Sequence, residues 1–200
     1  MTDSSPNNRS AEELAAAAAS GGSSDCFDVL VDRLGPRLLR YLRGKVGDAH
    51  TAEDLVQETF LKAYRNLGRY DPSRSFSTWL FTIATRLAIS HARSRRPAAA
   101  LGEYDPADTG RSDPAETVAR AEQHRSLWAR ASRVLGDDQY SAMWLRYAEE
   151  MSVRDIAGVM GKTRSGVKVL LHRARRRLMG VSATAAAPAP VAPEQYVVRN

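Results

Sequence analysis

Residues 152–179 read Ser152-Val-Arg-Asp-Ile-Ala-Gly-Val-Met160, then Gly161-Lys-Thr163, then Arg164-Ser-Gly-Val-Lys-Val-Leu-Leu-His-Arg-Ala-Arg-Arg-Arg-Leu-Met179. The first part has the marks of a short helix. Ser152 stands at the N-cap and Asp155 three positions on, a capping-box arrangement with Asp in place of the usual Glu or Gln. Gly161-Lys-Thr163 makes a turn, and Arg164–Met179 reads as a longer helix. Val167, Leu171, Ala174 and Leu178 form its buried stripe at steps of four, three and four. Two helices joined by a glycine-containing turn of three residues predict a helix-turn-helix. From Gly161 to Gly180 there are seven basic residues and no acid. A helix so biased repels itself unless phosphates neutralise it, which points to DNA. Arg164, Ser165 and Lys168 lie near its N-terminal end, where recognition helices touch base edges.

Upstream of this motif the same helical period continues. Phe27, Leu30, Val31, Leu34 and Leu38 form one stripe, with a kink expected at Gly35–Pro36. Val56, Phe60, Ala63 and Leu67 form a second; Phe76, Trp79, Leu80, Ile83 and Leu87 form a third. No sustained strand-like alternation occurs, so the fold class expected is all-α. The nine prolines divide the chain. Only Pro36 and Pro72 interrupt periodic sequence, and the others mark linkers and tails, because proline lacks a backbone donor and clashes inside helices. The division is a disordered tail (1–9), a first module (10–97), a linker (98–117), a helix-turn-helix module (118–180) and a disordered Ala/Pro tail (181–200). Glu103, Asp105, Asp108, Asp113 and Glu116 against Arg111 make the linker acidic, extended and flexible.

The chain has 200 residues, 43% hydrophobic and 26% charged, with net charge +6. Such a composition buries a core and excludes wholesale disorder. No apolar run approaches the roughly 18–20 residues of a membrane span. The N-terminus, with Glu12 and Glu13 before Ala15–Ala19, does not resemble a signal peptide. The single cysteine, Cys26, excludes a disulfide framework or a cysteine-based zinc cluster. A soluble cytoplasmic protein is expected, with no metal and no cofactor. Gly161-Lys-Thr163 resembles the end of a phosphate-binding P-loop. That motif requires a glycine where Ile156 stands and a preceding strand, so nucleotide hydrolysis is disfavoured. No nucleophile is paired with a base, and no catalytic residues are assigned.

Two further constellations carry function. On the helix around Asp54–Arg65, Asp54, Gln57, Glu58, Leu61 and Arg65 share the face opposite Val56 and Phe60. Leu61 is apolar and stranded among charges, as a docking face for a partner helix would have it; an ordinary solvated face with one stray leucine is the alternative. The run Arg69-Tyr-Asp-Pro-Ser-Arg-Ser-Phe-Ser-Thr-Trp-Leu-Phe81 puts aromatics and arginines at a loop–helix junction. Asp71-Pro72 starts a turn and Ser75 or Ser77 caps the helix. Rings offer stacking surfaces for unstacked bases and guanidinium groups hold phosphates. The alternative is that Phe76, Trp79 and Phe81 are all core. Arg93-Ser-Arg-Arg96 is either a phosphate contact or a solvated helix end.

Ala52-Glu-Asp-Leu-Val-Gln-Glu-Thr-Phe-Leu-Lys-Ala-Tyr-Arg65, Phe76-Ser-Thr-Trp-Leu80 and Leu171-His-Arg-Ala-Arg-Arg-Arg-Leu178, in this order, resemble bacterial RNA polymerase sigma factors of the sigma-70 family. The small extracytoplasmic-function type, linked to stress responses, is the most similar. The resemblance implies a promoter-recognition subunit rather than an enzyme. It implies core RNA polymerase (largest-subunit coiled coil and flap) and promoter DNA as partners, and allows an anti-sigma factor. It makes Asp54, Gln57, Glu58, Leu61 and Lys62 the polymerase-binding residues. Arg74, Phe76, Thr78, Trp79, Thr82 and Arg86 become contacts to the -10 element, where an unstacked base is captured. Arg164, Ser165, Lys168, His172, Arg173 and Arg175 become contacts to the -35 element. Two positions depart from the family. Val169-Leu170 stand where Ser-Arg often follows the recognition-helix lysine, and Arg86 stands where some members have asparagine. Arg86 cannot accept hydrogen bonds, so it suits phosphate or an acceptor edge of a base. A free-standing helix-turn-helix regulator, its first module an effector or dimerisation domain, is the alternative function.

Overall fold

A computed structural model of the chain describes residues 8–21, 25–95 and 127–185. The linker at 98–117 and the tail residues 1–7 and 186–200 lie outside the described residues. Every regular element described is helical: α1 Ala11–Ala19, α2 Asp25–Val46, α3 Ala49–Arg65, a 3-10 turn Leu67–Arg69, α4 Phe76–Arg95, α5 (127–134), α6 Asp137–Tyr147, α7 Val153–Met160 and α8 Arg164–Ala185.

Local chemistry sets where these helices start. Ser10 caps α1 in a reciprocal box: its hydroxyl accepts from the Glu13 amide at 3.1 Å, and the Glu13 carboxylate accepts from the Ser10 amide at 2.8 Å. Asp48 caps α3 by accepting from the Thr51 amide at 2.7 Å, and hydrogen bonding from the Thr51 side chain, with that from its amide, holds the carboxyl below the usual range. Ser152 caps α7 through the Asp155 amide at 3.2 Å, as the sequence predicts. The reciprocal half of that box takes another form. The Asp155 carboxylate, one methylene shorter than Glu, accepts from the Ser152 hydroxyl at 2.5 Å. Gly161 ends α7 in the left-handed region at φ 62°, where a side chain would be strained. The Thr163 hydroxyl then accepts from the Gly166 amide at 3.1 Å and opens α8.

Packing follows the predicted stripes with corrections. On α2, Phe27, Leu30, Leu34 and Leu38 are buried and Val31 is half-buried; the helix continues across Gly35–Pro36 as one element. On α3 the core line is Ala52, Leu55, Thr59, Phe60 and Ala63, with Val56 only half-buried. Thr59 is accommodated because its hydroxyl donates to the Leu55 carbonyl at 2.6 Å. α8 runs past 180 to Ala185, so the first residues assigned to the disordered C-terminal tail are helical. Val181-Ser-Ala-Thr-Ala185 holds no proline or glycine, and alanine is the strongest helix former.

Helices α1–α4 form one bundle, and α6, α7 and α8 pack on one another as the helix-turn-helix. The two groups also pack together, α2 against α6 and α4 against α7. Sequence gave no sign of this contact. At its centre the Tyr41 hydroxyl lies 3.0 Å from the Thr85 hydroxyl and 3.2 Å from that of Ser141, all three residues being buried. Lys45 donates to Ser141 at 2.9 Å, and Arg37 pairs with Glu149 at 2.7 Å.

Candidate functional site

Three surfaces carry the chemistry singled out in the sequence. The first is the outer face of α3. Asp54, Gln57, Glu58, Leu61, Lys62 and Arg65 are all exposed there, Leu61 to 49%. Glu58 and Lys62 pair at 2.9 Å across one helical turn. Tyr64, also exposed, lays one edge of its ring on Phe27 with centroids 5.1 Å apart. Leu61 and Tyr64 therefore form a small apolar strip within a charged face.

The second surface lies between the end of α3 and the outer side of α4. A cavity of about 470 Å³ opens there, lined by Lys62, Asn66, Arg69, Trp79, Ile83, Arg86, Leu87 and Ser90. Three cations, an amide and an indole thus converge on one concave site. Of the six residues assigned to the -10 element, Trp79 and Arg86 line it. Arg74 lies on the preceding loop, largely exposed, 3.4 Å from the Asp71 carboxylate. Thr78 and Thr82 are half-buried, and the Thr82 hydroxyl is engaged by the Thr78 carbonyl at 2.7 Å. Phe76 requires correction as a surface contact. It is 0% exposed, packed edge-on against Tyr70 at 5.2 Å and against Trp79 at 5.6 Å, so it supports the site from within the core. Phe81 is likewise buried.

The loop before α4 is tightly held. Asp71 accepts from the Ser73 amide at 3.0 Å and hydroxyl at 2.7 Å, and its carboxyl is held below the usual range by these bonds. The Tyr70 hydroxyl donates to the Arg74 carbonyl. Burial, with Glu12 and Asp71 nearby, pushes the Tyr70 phenol up to about 12. Ser75, not Ser77, caps α4 by accepting from the Thr78 amide at 3.4 Å. Sequence reading missed Glu12, whose carboxylate accepts from the Phe76 amide at 3.0 Å and ties α1 to the start of α4. Lys62, Asn66 and Arg69 also line the cavity. Arg69 opens the run of arginines and aromatics singled out in the sequence, whereas Lys62, on the exposed face of α3, and Asn66, at its C-cap, come opposite α4 only through the chain reversal at Leu67–Arg69. Of the basic end at 93–96, Arg93 is exposed and Arg96 lies outside the described residues.

The third surface is the outer side of α8. Val167, Leu171 and Ala174 are buried, with Leu178 half-buried beside them. Arg164, Ser165, Lys168, His172, Arg173 and Arg175 are all exposed, as the stripe requires. Arg175 also donates to the Leu171 carbonyl at 3.3 Å. Lys162, in the turn, pairs with Asp138 on α6 at 2.9 Å, a contact within the helix-turn-helix group. No group of three or more His, Cys, Asp or Glu side chains among the described residues is placed to hold a metal. Nor is any described helix long and apolar enough to cross a membrane.

Residues 30–97 match the family described as sigma-70 region 2, and residues 128–178 match sigma-70 region 4. The two matches fall on the two helical groups and set the class, a two-region factor of the sigma-70 type. The chain is 36% identical over 160 residues to the ECF RNA polymerase sigma factor BldN of Streptomyces coelicolor, covering 78% of this chain and 60% of BldN. It is 34% identical over 167 residues to the RNA polymerase sigma-H factor of Pseudomonas aeruginosa, covering 78% of this chain and 86% of that protein. Among solved structures, CnrH in complex with the cytosolic domain of CnrY superposes with a TM-score of 0.64 at 27% identity, over 89% of this chain and 100% of that one. The sigma factor RpoE in complex with the anti-sigma factor NepR, from Bartonella quintana, shares the fold with a TM-score of 0.66 at 24% identity, over 80% of this chain and 98% of that one. The chain belongs to the extracytoplasmic-function (ECF) subfamily of sigma-70 RNA polymerase sigma factors. It is a promoter-recognition factor for transcription initiation.

Proposed function

We propose that the three surfaces divide this work among themselves. The unit 10–97 binds core RNA polymerase through Asp54, Gln57, Glu58, Leu61 and Lys62. It holds the -10 element in the cavity between α3 and α4. The unit 118–180 reads the -35 element through the outer side of α8, and the acidic segment 98–117 joins the two. The protein supplies binding energy rather than chemistry, and it acts in the cytoplasm, where polymerase and promoter are. An anti-sigma factor is a further partner of this reading, since RpoE of Bartonella quintana, which has the same fold, is solved in complex with one.

The observation that carries the reading is the segregation of chemistry on one chain. An acid-and-leucine face lies on α3, and a face with cations and no acid lies on α8. The cavity adds the means to hold a melted strand. Exposing a base costs a few kcal/mol, which an indole and several phosphate contacts are suited to offset. Charge reversal at Asp54 and Glu58 together with Leu61→Asp tests the assignment. The full-length variant is expected to lose core polymerase in a pull-down while keeping the salt-dependent affinity of the parent for duplex DNA. Retained polymerase association would overturn the α3 assignment and place the polymerase contact elsewhere on the chain.

A further inference from the structure

Val169 is out of place by composition. Opposite the buried line of α8 lie Ser165, Val169, His172 and Arg176 at steps of four, three and four, all exposed. Val169 is in the middle of that outer pole, 46% exposed, with Lys168 and Arg173 on either side. A single exposed apolar residue is ordinary on a protein surface. This one occupies the outermost line of the helix that follows the turn, within its first two turns, among groups suited to phosphates and base edges.

We propose that Val169 reads the C5-methyl group of a thymine in the -35 element; the inference rests on α8 being the helix that enters the major groove. The groove floor presents hydrogen-bonding edges at every base pair and one apolar group, the thymine methyl. Valine is β-branched and holds one strongly preferred rotamer in a helix, so its two methyl groups form a fixed apolar knob. Against a thymine methyl the knob removes apolar surface from water on both sides. Against the amino group of adenine or cytosine it would strip water from a donor and return no acceptor, which is unfavourable. The flanking Lys168 and Arg173 bring phosphate-binding charge to either side of the knob and fix the register in which it meets the groove floor. The contact is worth about a three- to five-fold preference, the equivalent of one buried methyl group.

The test uses the full-length protein with core polymerase. Run-off transcription from a library randomised across the -35 element gives the preferred sequence. Each thymine in it, on either strand, is then replaced by deoxyuridine, which removes only the methyl group. At one position the parent protein is expected to lose about three- to five-fold in initiation at limiting concentration. Val169→Ala is expected to match that lower level on the thymine template and to show no further loss on the deoxyuridine template. Alanine is the better helix former, so the variant keeps its helix. Deoxyuridine templates equal to their parents throughout, or a preferred sequence with no thymine, would overturn the proposal. So would full deoxyuridine sensitivity retained by Val169→Ala. Indifference of the parent protein to a wholly scrambled -35 sequence is a separate result, and would overturn the assignment of α8 along with it.

Discussion

Phe76 and Trp79 are three residues apart at the start of α4 and have opposite fates. Phe76 is sealed beneath Tyr70, whereas Trp79 is half-buried and lines the cavity with Arg86. Phe76→Ala is therefore a core deletion, with an expected cost of about 3–5 kcal/mol in denaturant unfolding. Arg86 faces the cavity from the exposed side of α4, with Lys62 and Arg69 across from it. A guanidinium here can only donate, which directs it to phosphate or to an acceptor edge of a base. If it holds one phosphate of the displaced strand, Arg86→Ala lowers the slope of log affinity against log salt by about 0.7. Binding of the holoenzyme to a single-stranded -10 oligonucleotide over a salt series measures this. An unchanged slope would remove Arg86 from the phosphate path.

Among the elements, the helix-turn-helix depends on how α7 stops and α8 starts. Gly161 adopts φ 62°, and a Cβ there would meet no neighbouring atom, so strain and not crowding governs substitution. Gly161→Ala is expected to cost about 1–2 kcal/mol and Gly161→Asn distinctly less, since asparagine tolerates the left-handed region. Thermal unfolding of the two variants checks the order, and equal losses would point to a packing role instead. This element was the most legible in the sequence because each of its signals is local: a serine cap, a glycine stop and an apolar stripe of fixed period. The exposed face of α3 was legible for the same reason. Phe76 was not, because an aromatic residue at a loop–helix junction shows the same local pattern whether its ring turns in or out. Nor could the cavity be read. Lys62, Asn66 and Arg69 meet Arg86 only after the chain reverses between α3 and α4, and no periodicity encodes that approach. The end of α8 is not legible because Val181–Ala185 adjoin an alanine- and proline-rich stretch, although alanine continues a helix at the least cost of any residue.

At the scale of the whole molecule, the contact between the two helical groups is the feature that local sequence could not show. Tyr41, Thr85 and Ser141 each lie among the buried residues of their own helices, and nothing in the order of residues says which helix covers them. The contact combines the buried Tyr41, Thr85 and Ser141 hydroxyls with packing of the Tyr41 ring against Tyr140 and Trp144. Burial pushes the Glu149 carboxyl up, although Arg37 and the Trp144 indole pull it back, and burial pushes the Lys45 ammonium down. Both shifts record charges that would be better hydrated in water: Glu149 is buried while its partner Arg37 stays partly exposed, and Lys45 donates to a neutral hydroxyl. Gly44 is the point at which such a contact can be opened without damage to either group. A Cβ at this position would lie 2.0 Å from the Tyr140 hydroxyl oxygen and 2.4 Å from the ring carbon bearing it. The ring cannot simply step aside, because it is stacked near Tyr41 and held edge-on by Trp128. Within α2 itself the change is favourable, since alanine exceeds glycine in a helix interior by about 1 kcal/mol. Gly44→Ala should therefore leave helix content intact, part α2 from α6 and increase the radius of gyration in small-angle scattering. Combined with Tyr140→Leu, which removes the ring atoms the new methyl would strike, the substitution should lose most of its effect, the non-additivity expected of two groups in contact. An unchanged radius in Gly44→Ala would mean that α6 does not rest on α2 in solution.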